Sequence, residues 1–474
     1  MKEFKTIYIE GQWVAPAHVR SVDVENPATE SIAATIAVGG AEDVDRAVHA
    51  ARRAFLLWQG TSRDERIAIL ERIIAEYQRR MGDLVEAVMT EMGAPKAFAE
   101  QAQVPIGLGH LSNALEALRS YRFEEMRGAT KIVREPIGVC AFITPWNWPL
   151  NQIACKVAPA LATGCTMILK PSEIAPLSAQ IFAEIIDASA VPAGVFNMIQ
   201  GTGLDVGVPL ATHPDIDMIS FTGSTRAGVE VARNAAPTVK RVHQELGGKS
   251  ANIILDDERL ADNVAAGVRQ MMSNSGQSCN APSRMLVPKA RRTEALSAAA
   301  AAVETVTVGS PDEDVAIGPV ASKAQWDKIQ SLIGKGREEQ SLLLAGGLGL
   351  PDGLENGYYV KPTIFADVQP DMTIAREEIF GPVLAIMTYD TIDEAIHIAN
   401  DTEYGLAGYV NGADADMVRH VALQLRAGQI SINGAFDLNA PFGGYKMSGN
   451  GREWGDLAFH EFLETKALMG FASA

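Results

Sequence analysis

Cysteine is scarce. The four present, Cys140, Cys155, Cys165 and Cys279, show no paired spacing and no Cys-x-x-Cys in 474 residues. That argues against a disulfide scaffold and a cysteine-based zinc site. His-Glu-x-x-His is missing as well, so no metal site is expected. Basic residues are in deficit, 41 Lys and Arg against 58 Asp and Glu, for a net charge of −17. A phosphate backbone and an anionic membrane surface are both repelled by such a chain, and no Lys/Arg run offers a local exception. Neither nucleic acid nor a membrane is an expected partner. Long apolar runs are also lacking. The longest uncharged stretch, 136–155, contains Pro145, Asn147, Pro149, Asn151 and Gln152, which are costly in lipid. It reads as a buried strand followed by a polar turn. The first thirteen residues carry acidic groups and no apolar core, unlike a secretory signal, and the expected compartment is a reducing cytoplasm. Internal repeats, low-complexity tracts and long linkers are absent from the sequence.

What is there fits a folded soluble protein: 47% hydrophobic and 21% charged residues exclude a disordered chain. The length suggests about three domains. The first forty residues alternate short apolar runs with turns at Glu10-Gly11, Asn26-Pro27 and Gly39-Gly40, which predicts small strands. Residues 41–92 carry apolar positions at helical spacing, and 97–120 predicts another helix broken at Pro105. Around Arg127-Gly128, residues 121–136 read as a charged, projecting hairpin. Apolar strand-like runs follow at 137–143, 165–169, 195–199, 217–221 and 251–255, with helical stretches between them. Such alternation predicts a parallel sheet covered on both faces, a doubly wound α/β architecture with its site at the carboxyl ends of the strands. A second αβ series runs from 284 to 432, followed by a Gly-rich loop at 433–455.

Several residues stand where chemistry is possible. Cys279, in Asn274-Ser-Gly-Gln-Ser-Cys279-Asn, follows a glycine and polar residues, whereas the other three cysteines sit in apolar surroundings. It is either an accessible nucleophile or an inert loop cysteine. Glu245, before Gly247-Gly248, is either a general base beside a close backbone approach or a surface glutamate before a turn. Asn147, stiffened by Pro145 and Pro149 at the end of the strand 137–143, is either an oxyanion donor or a turn asparagine. Lys170, Ser172 and Glu173 follow the strand 165–169. An acid there suits the ribose hydroxyls of a dinucleotide and repels a 2′-phosphate, favouring NAD over NADP. Helix capping accounts for the same residues. Gly201-x-Gly203-x-x-x-Gly207 is one residue longer than the dinucleotide fingerprint, and Phe221-Thr-Gly223-Ser224 opens the next helix. Either cluster is also explained as a tight turn.

Taken together, these motifs closely resemble the NAD(P)-dependent aldehyde dehydrogenase superfamily, in its hydrolytic, non-acylating form. Seven pieces occur in the family's order: Thr144-Pro-Trp-Asn147-Trp-Pro149, Lys170-Pro-Ser-Glu173, Phe221-Thr-Gly-Ser224, Glu245-Leu-Gly-Gly-Lys249, Asn274 to Cys279, Glu378-Ile-Phe380-Gly-Pro382 and Pro441 to Gly449. The resemblance spans essentially the whole chain. It implies that Cys279 attacks an aldehyde carbonyl and that the Asn147 amide and the Cys279 backbone N–H hold the oxyanion. Hydride then passes to the nicotinamide, and Glu245 activates the water that hydrolyses the thioester. It also implies that Lys170, Ser172 and Glu173 bind the ribose and that Gly203, Gly207, Phe221, Gly223 and Ser224 face adenine and pyrophosphate. Ile143, Thr144, Pro145, Trp146, Leu246 and Gly247 join the cofactor site, with Glu378 and Phe380 clamping the nicotinamide ribose.

The fold implied has an NAD-binding domain (1–113 and 137–246), a catalytic domain (247–447) and an oligomerisation hairpin and tail (114–136 and 448–474). The tail is expected to join a partner subunit's sheet in a homodimer or homotetramer. By family position, the aldehyde tunnel takes Trp148, Gln152 and Cys155 from the helix after Asn147. Ser278 and Asn280 flank the nucleophile, and Phe436, Leu438 and Phe442 come from the loop 433–442. Cys155 stands where some relatives carry a bulky aromatic, so a wider tunnel is expected there. The lining is mostly apolar and without Arg or Lys, which implies an aromatic or medium-to-long aliphatic aldehyde. A CoA-acylating enzyme would not need Glu245, and an inactive relative would not need Cys279 and Asn147. A phosphate-dependent enzyme of the glyceraldehyde-3-phosphate type would pair its cysteine with a histidine, and none lies near Cys279 in the sequence.

Overall fold

Four of the five apolar runs lie side by side. In the computed structural model, which describes residues 2–473, they are the parallel strands Val139–Ile143, Thr166–Lys170, Phe196–Met198 and Met218–Thr222. The fifth parallel strand of this sheet is Arg241–Glu245. Its sequence, RVHQE, has too many polar residues to read as an apolar run, yet its last three side chains are buried. Across the sheet the order is 241–245, 218–222, 139–143, 166–170, 196–198, with antiparallel additions at both edges: Gly449–Asn450 on one side, Ile7–Ile9 and Gln12–Val14 on the other. The parallel part of the sheet starts in the middle, at Val139–Ile143, and winds outward in both directions. The crevice beside the carboxyl end of Val139–Ile143 is therefore the topological switch point of a doubly wound sheet. Helices Ala41–Trp58, Pro149–Thr163, Leu177–Ala188 and Thr225–Ala235 cover its faces. Leu70, Ile73, Tyr77, Phe142, Leu150, Ile153 and Phe182 form part of one fully buried core there.

The run at 251–255 belongs elsewhere. Ala251–Ile254 pairs with Arg284–Pro288 and Ala407–Asn411 in a second sheet. This corrects its placement as the fifth strand of the first. Strand propensity is the same in either sheet; the assignment turns on the crossing at 246–250, where two glycines take the chain from one sheet to the other. The second sheet is parallel apart from the edge strand Leu342–Ala345, in the order 342–345, 363–366, 383–389, 284–288, 251–254, 407–411, 429–432.

The helix expected over 97–120 is a π-helical turn, Ala99–Gln103, running into Val104–Ser120. Pro105 sits in the first turn of that helix, where its missing N–H costs nothing. The hairpin is Glu124–Arg127 against Thr130–Pro136, and Leu463–Leu468 of the same chain adds a third strand. Residues 114–120 are the last turns of the helix Val104–Ser120, which leads into the hairpin. No helix among the described residues is long and apolar enough to cross a membrane.

Candidate active site

The loop that carries Cys279 is held in an unusual backbone conformation. Asn274 and Ser275 both lie in the left-handed region, at φ 54°. Each costs about 1–2 kcal/mol for a non-glycine residue, so the surroundings must hold them. Asn274 Nδ2 donates to the carbonyls of Asn147 at 3.0 Å and Gln277 at 3.1 Å, and Ser275 Oγ donates to Gly318 O at 2.8 Å. At Gly276, φ 71°, a Cβ would run into the backbone of Gly381. At Gly248 a Cβ would run into the carbonyl of Cys279. The second glycine of the crossing is thus what lets the two sheets' connection reach the backbone of Cys279.

Cys279 is half-buried and borders two cavities. Burial pushes its thiol well above the ordinary range, with the negative charges of Glu245 and Glu378 adding to the effect. Asn147 is buried next to it; its Nδ2 donates to Gln277 O at 2.9 Å, and its carbonyl accepts from Gln103 Nε2 at 3.1 Å. One bond holds the side-chain amide and the other holds the residue's backbone at the carboxyl end of Val139–Ile143.

Glu245 ends Arg241–Glu245, the outermost parallel strand of the first sheet, and is 1% exposed. Neither carboxylate oxygen has a hydrogen-bond partner. Burial pushes it well above the usual carboxylate range; Glu453 adds to the shift, and Lys156 and Arg452 oppose it. A buried ion pair lies alongside. Lys156 Nζ is 2.5 Å from Glu453 Oε1 and 2.8 Å from Thr222 Oγ1. Burial opposes the charge on both partners, but each holds the other ionised: Lys156 is raised and Glu453 lowered.

The cavity of about 180 Å³ on one side of Cys279 is bordered by Pro145, Trp146, Asn147, Gly223, Ser224, Glu245, Leu246, Gly247, Glu378 and Phe380, all anticipated from the sequence, and by Thr222, Gln325 and Lys328, which were not. Glu378 Oε1 accepts from Gly248 N at 2.9 Å, and a Cβ at Gly247 would come within 2.8 Å of Glu378 Oε2. Phe380 takes φ 60°; its ring meets Trp146 edge-on at 5.5 Å, and its carbonyl accepts from Gln325 Nε2 at 2.7 Å. Ile143, Thr144, Lys170, Ser172, Glu173, Gly203, Gly207 and Phe221 do not border this cavity. Most stand at neighbouring strand ends: Thr144 N donates to Lys170 O at 3.1 Å, and Lys170 Nζ reaches Glu173 Oε2 at 2.9 Å. Gly203–Gly207 is a π-helical turn capped by Thr202, and a Cβ at Gly207 would stand 3.6 Å from Ile143. This surface suits a dinucleotide: a groove along the switch point, lined by glycines, with an acid at its far strand end and a thiol at its inner end.

The second cavity, of about 390 Å³, is bordered by Gln101, Ala102, Pro105, Ile106, Trp148, Asn151, Gln152, Cys279, Asn280, Phe436, Leu438, Phe442 and Trp454. Ser278 and Cys155 do not border it. Ser278 Oγ accepts from Trp148 Nε1 at 2.8 Å and so orients that ring. Cys155 is buried behind the wall with Leu406, Phe442 and Trp454. Cys155 thus packs in one cluster with Trp454, which itself borders the cavity. Trp454, Lys156, Glu453, Gln325 and Lys328 were missed from the sequence. Trp454 and Glu453 follow the Gly-rich segment that pairs back onto Glu245 (Glu245 opposite Gly449), a non-local contact that spacing alone does not reveal.

A model of the aldehyde dehydrogenase family matches residues 13–468. A 3-succinoylsemialdehyde-pyridine dehydrogenase from a Pseudomonas species is 56% identical over 474 residues, 99% of each chain. A putative aldehyde dehydrogenase of Staphylococcus epidermidis is 47% identical over 99% of this chain and 100% of its own. Among solved structures, a cysteine-to-alanine mutant of aldehyde dehydrogenase C from Pseudomonas syringae, complexed with NAD+ and octanal, superposes with a TM-score of 0.98 at 52% identity, covering 99% of this chain and 97% of that one. An aldehyde dehydrogenase from Mycobacterium tuberculosis complexed with NAD+ gives 0.96 at 40%, covering 99% and 98%.

Proposed function

The chain belongs to the aldehyde dehydrogenase family, and from that premise we propose that it oxidises an apolar aldehyde to the carboxylic acid through a thioester on Cys279. It is an NAD-dependent aldehyde dehydrogenase. The observation that carries the mechanism is that Cys279 borders both cavities, with Asn147 and Glu245 on the same side as the dinucleotide groove.

The Cys279 sulfur adds to the aldehyde carbon, and the carbonyl oxygen becomes an oxyanion. The Nδ2 of Asn147 and the backbone N–H of Cys279 donate to it. NAD held in the groove would supply the hydride acceptor; when the hydride leaves this carbon the oxyanion collapses and a thioester remains on Cys279. Glu245 takes a proton from water, the hydroxyl adds to the thioester carbonyl, and the C–S bond breaks to release acid and thiolate. A carboxyl raised by burial suits proton transfer near neutral pH. Lys170 and Glu173 hold the adenosine ribose, and the charge of Glu173 disfavours NADP. Gln325 and Lys328 join Glu378 and Phe380 at the nicotinamide end of the cleft.

The substrate is an aromatic or medium-to-long aliphatic aldehyde. The cavity's aromatic and aliphatic walls support this, as do the absence of Arg and Lys from its lining and the octanal and pyridyl semialdehyde of the similar proteins. The division into an NAD-binding part (1–113, 137–246), a catalytic part (247–447) and an arm (114–136, 448–474) goes with this reading; its end residues Met1 and Ala474 lie outside the described residues. Met126, Leu468, Met469 and Phe471 are exposed on the arm, which supports a homodimer or homotetramer. The four free thiols accord with the cytoplasm.

The test is NADH formation with an aldehyde panel, for wild type and Cys279→Ala, with NAD or NADP and with or without CoA. CoA-independent turnover of octanal and benzaldehyde that the variant loses is expected. Preference for succinic semialdehyde overturns the substrate class, and dependence on CoA overturns the hydrolytic step.

A further inference from the structure

Among the buried polar atoms without a hydrogen-bond partner, three belong to two neighbours on one strand beside the active site: Nε2 of His243 and both oxygens of Glu245. The arrangement follows from strand geometry. Residues two apart on a strand project to the same face, so His243 and Glu245 point the same way from Arg241–Glu245. The parallel register sets Ser220 beside His243 and Thr222 beside Glu245. Ser220 Oγ lies 2.8 Å from His243 Nδ1, and His243 Nε2 lies 3.7 Å from Glu245 Oε1. Every other charged group facing the imidazole comes from two further elements. Lys156 comes from the helix Pro149–Thr163, and Arg452, Glu453 and Glu461 come from the C-terminal segment. Glu453 Oε1 is 3.9 Å from Nδ1, and Glu461 accepts from Arg452 N at 3.1 Å. Gly451, at φ 83°, lets that segment press on the ring, because a Cβ there would run into it.

We propose that His243 is the positioning residue for Glu245: with Ser220 Oγ donating to Nδ1, the imidazole hydrogen stands on Nε2 and holds the ionised carboxylate ready between turnovers. This rests on the reading of Glu245 as the hydrolytic base. Burial keeps the imidazole neutral, which leaves one ring nitrogen as donor and one as acceptor. The separation of 3.7 Å exceeds a hydrogen bond, and a side-chain rotation of under about 1 Å closes it to the usual range. A leftover pair of buried unsatisfied groups is costly for a fold to keep; two that face each other satisfy each other. A donor to the ionised form lowers a carboxyl's pKa, so His243 offsets part of the upward push that burial and Glu453 exert on Glu245.

The experiment follows the pH dependence of octanal turnover together with the amount of acyl-Cys279 caught by rapid quench and mass spectrometry. In His243→Leu the acid limb of kcat is expected to move up by about one pH unit, a tenfold loss of ionised Glu245 at acid pH. Acyl-enzyme should accumulate while the first-turnover NADH burst keeps its rate. His243→Gln, which retains a side-chain N–H, should recover most of the shift. An unmoved limb without accumulation overturns the proposal, and so does a Gln variant that behaves like Leu. If His243→Leu does not fold, Ser220→Ala, which frees the tautomer, should move the limb the same way, and an unmoved limb there overturns the proposal equally. Glu245→Gln separates the two readings. Hydrolysis at the wild-type rate in that variant refutes Glu245 as base; arrest there with unmoved His243 variants refutes only the role of His243.

Discussion

Trp454 stacks on Phe442, ring centroids 4.5 Å apart and planes inclined by 21°. Both rings border the larger cavity beside Cys279, and Trp454 also meets Phe436 edge-on at 6.2 Å. Removing such a ring to alanine costs about 3–5 kcal/mol in a core, so Trp454→Leu, which keeps part of the volume, is the informative change. The opened space should admit bulkier rings. The kcat/KM for naphthaldehyde is expected to rise several-fold relative to octanal, and steady-state rates with both substrates check it. An unchanged ratio would mean that Trp454 does not shape the tunnel.

The Asn147 side-chain amide donates to Gln277 O at 2.9 Å, and the residue's backbone carbonyl accepts from Gln103 and Asn274. The group is preorganised, and loss of one oxyanion donor costs about 10²–10³-fold in kcat. Asn147→Ala should show that loss in the first-turnover NADH burst, with octanal KM little changed. A loss confined to later turnovers would place Asn147 outside the oxyanion step.

The seven motifs were readable because each is a local run with its chemistry inside it. Cys279, Asn147, Glu245, Glu378 and Phe380 indeed border one cleft. What escaped depends on contacts between distant segments. Arg241–Glu245 did not read as a strand because its buried face carries His243 and Glu245 rather than Val or Ile. Trp454 and Glu453 reach the site only because Gly449–Asn450 pairs with that strand. The sheet to which 251–254 belongs is decided by a two-glycine crossing, and local propensity is silent on it.

Glu245 and Glu378 both raise the Cys279 thiol above its ordinary range, after burial. Glu245→Gln removes the larger of the two charge effects, but only at a pH where the wild-type carboxyl is ionised. Alkylation of Cys279 by iodoacetamide should therefore be several-fold faster in the variant at pH 9, with the difference vanishing as pH falls and Glu245 takes up its proton. Second-order rates between pH 6 and pH 10 test this. A variant that is slower at pH 9 would show that Glu245 assists thiol ionisation instead.

Lys170 Nζ reaches both Glu173 Oε2 and Pro171 O at 2.9 Å. Glu173→Gln keeps the shape, removes the charge that opposes a 2′-phosphate and frees Lys170 to meet one. The NAD to NADP ratio of kcat/KM is expected to fall about tenfold, which corresponds to ~1.4 kcal/mol. Initial rates with the two cofactors measure it; an unaltered ratio would place the cofactor preference elsewhere.

Glu91 lies outside the site and makes stability depend on pH. It is fully buried and accepts from the backbone N–H of Leu177 at 2.5 Å and Ser178 at 3.1 Å, at the start of Leu177–Ala188. Burial nevertheless outweighs these bonds and pushes it to about 7. An unfolded glutamate titrates near ~4.3. Between these two values the folded chain holds a proton that the unfolded chain has released, so this group's contribution declines as pH rises through the window. A shift of that size corresponds to about 4 kcal/mol, fully expressed above pH 7. Gln at this position retains a carbonyl acceptor and cannot ionise. The Tm of Glu91→Gln minus that of wild type is therefore expected to grow more positive from pH 5 to pH 8, as thermal unfolding followed by circular dichroism would record. A difference that stays flat, or falls, would mean that the two backbone N–H groups stabilise the carboxylate more than burial opposes it.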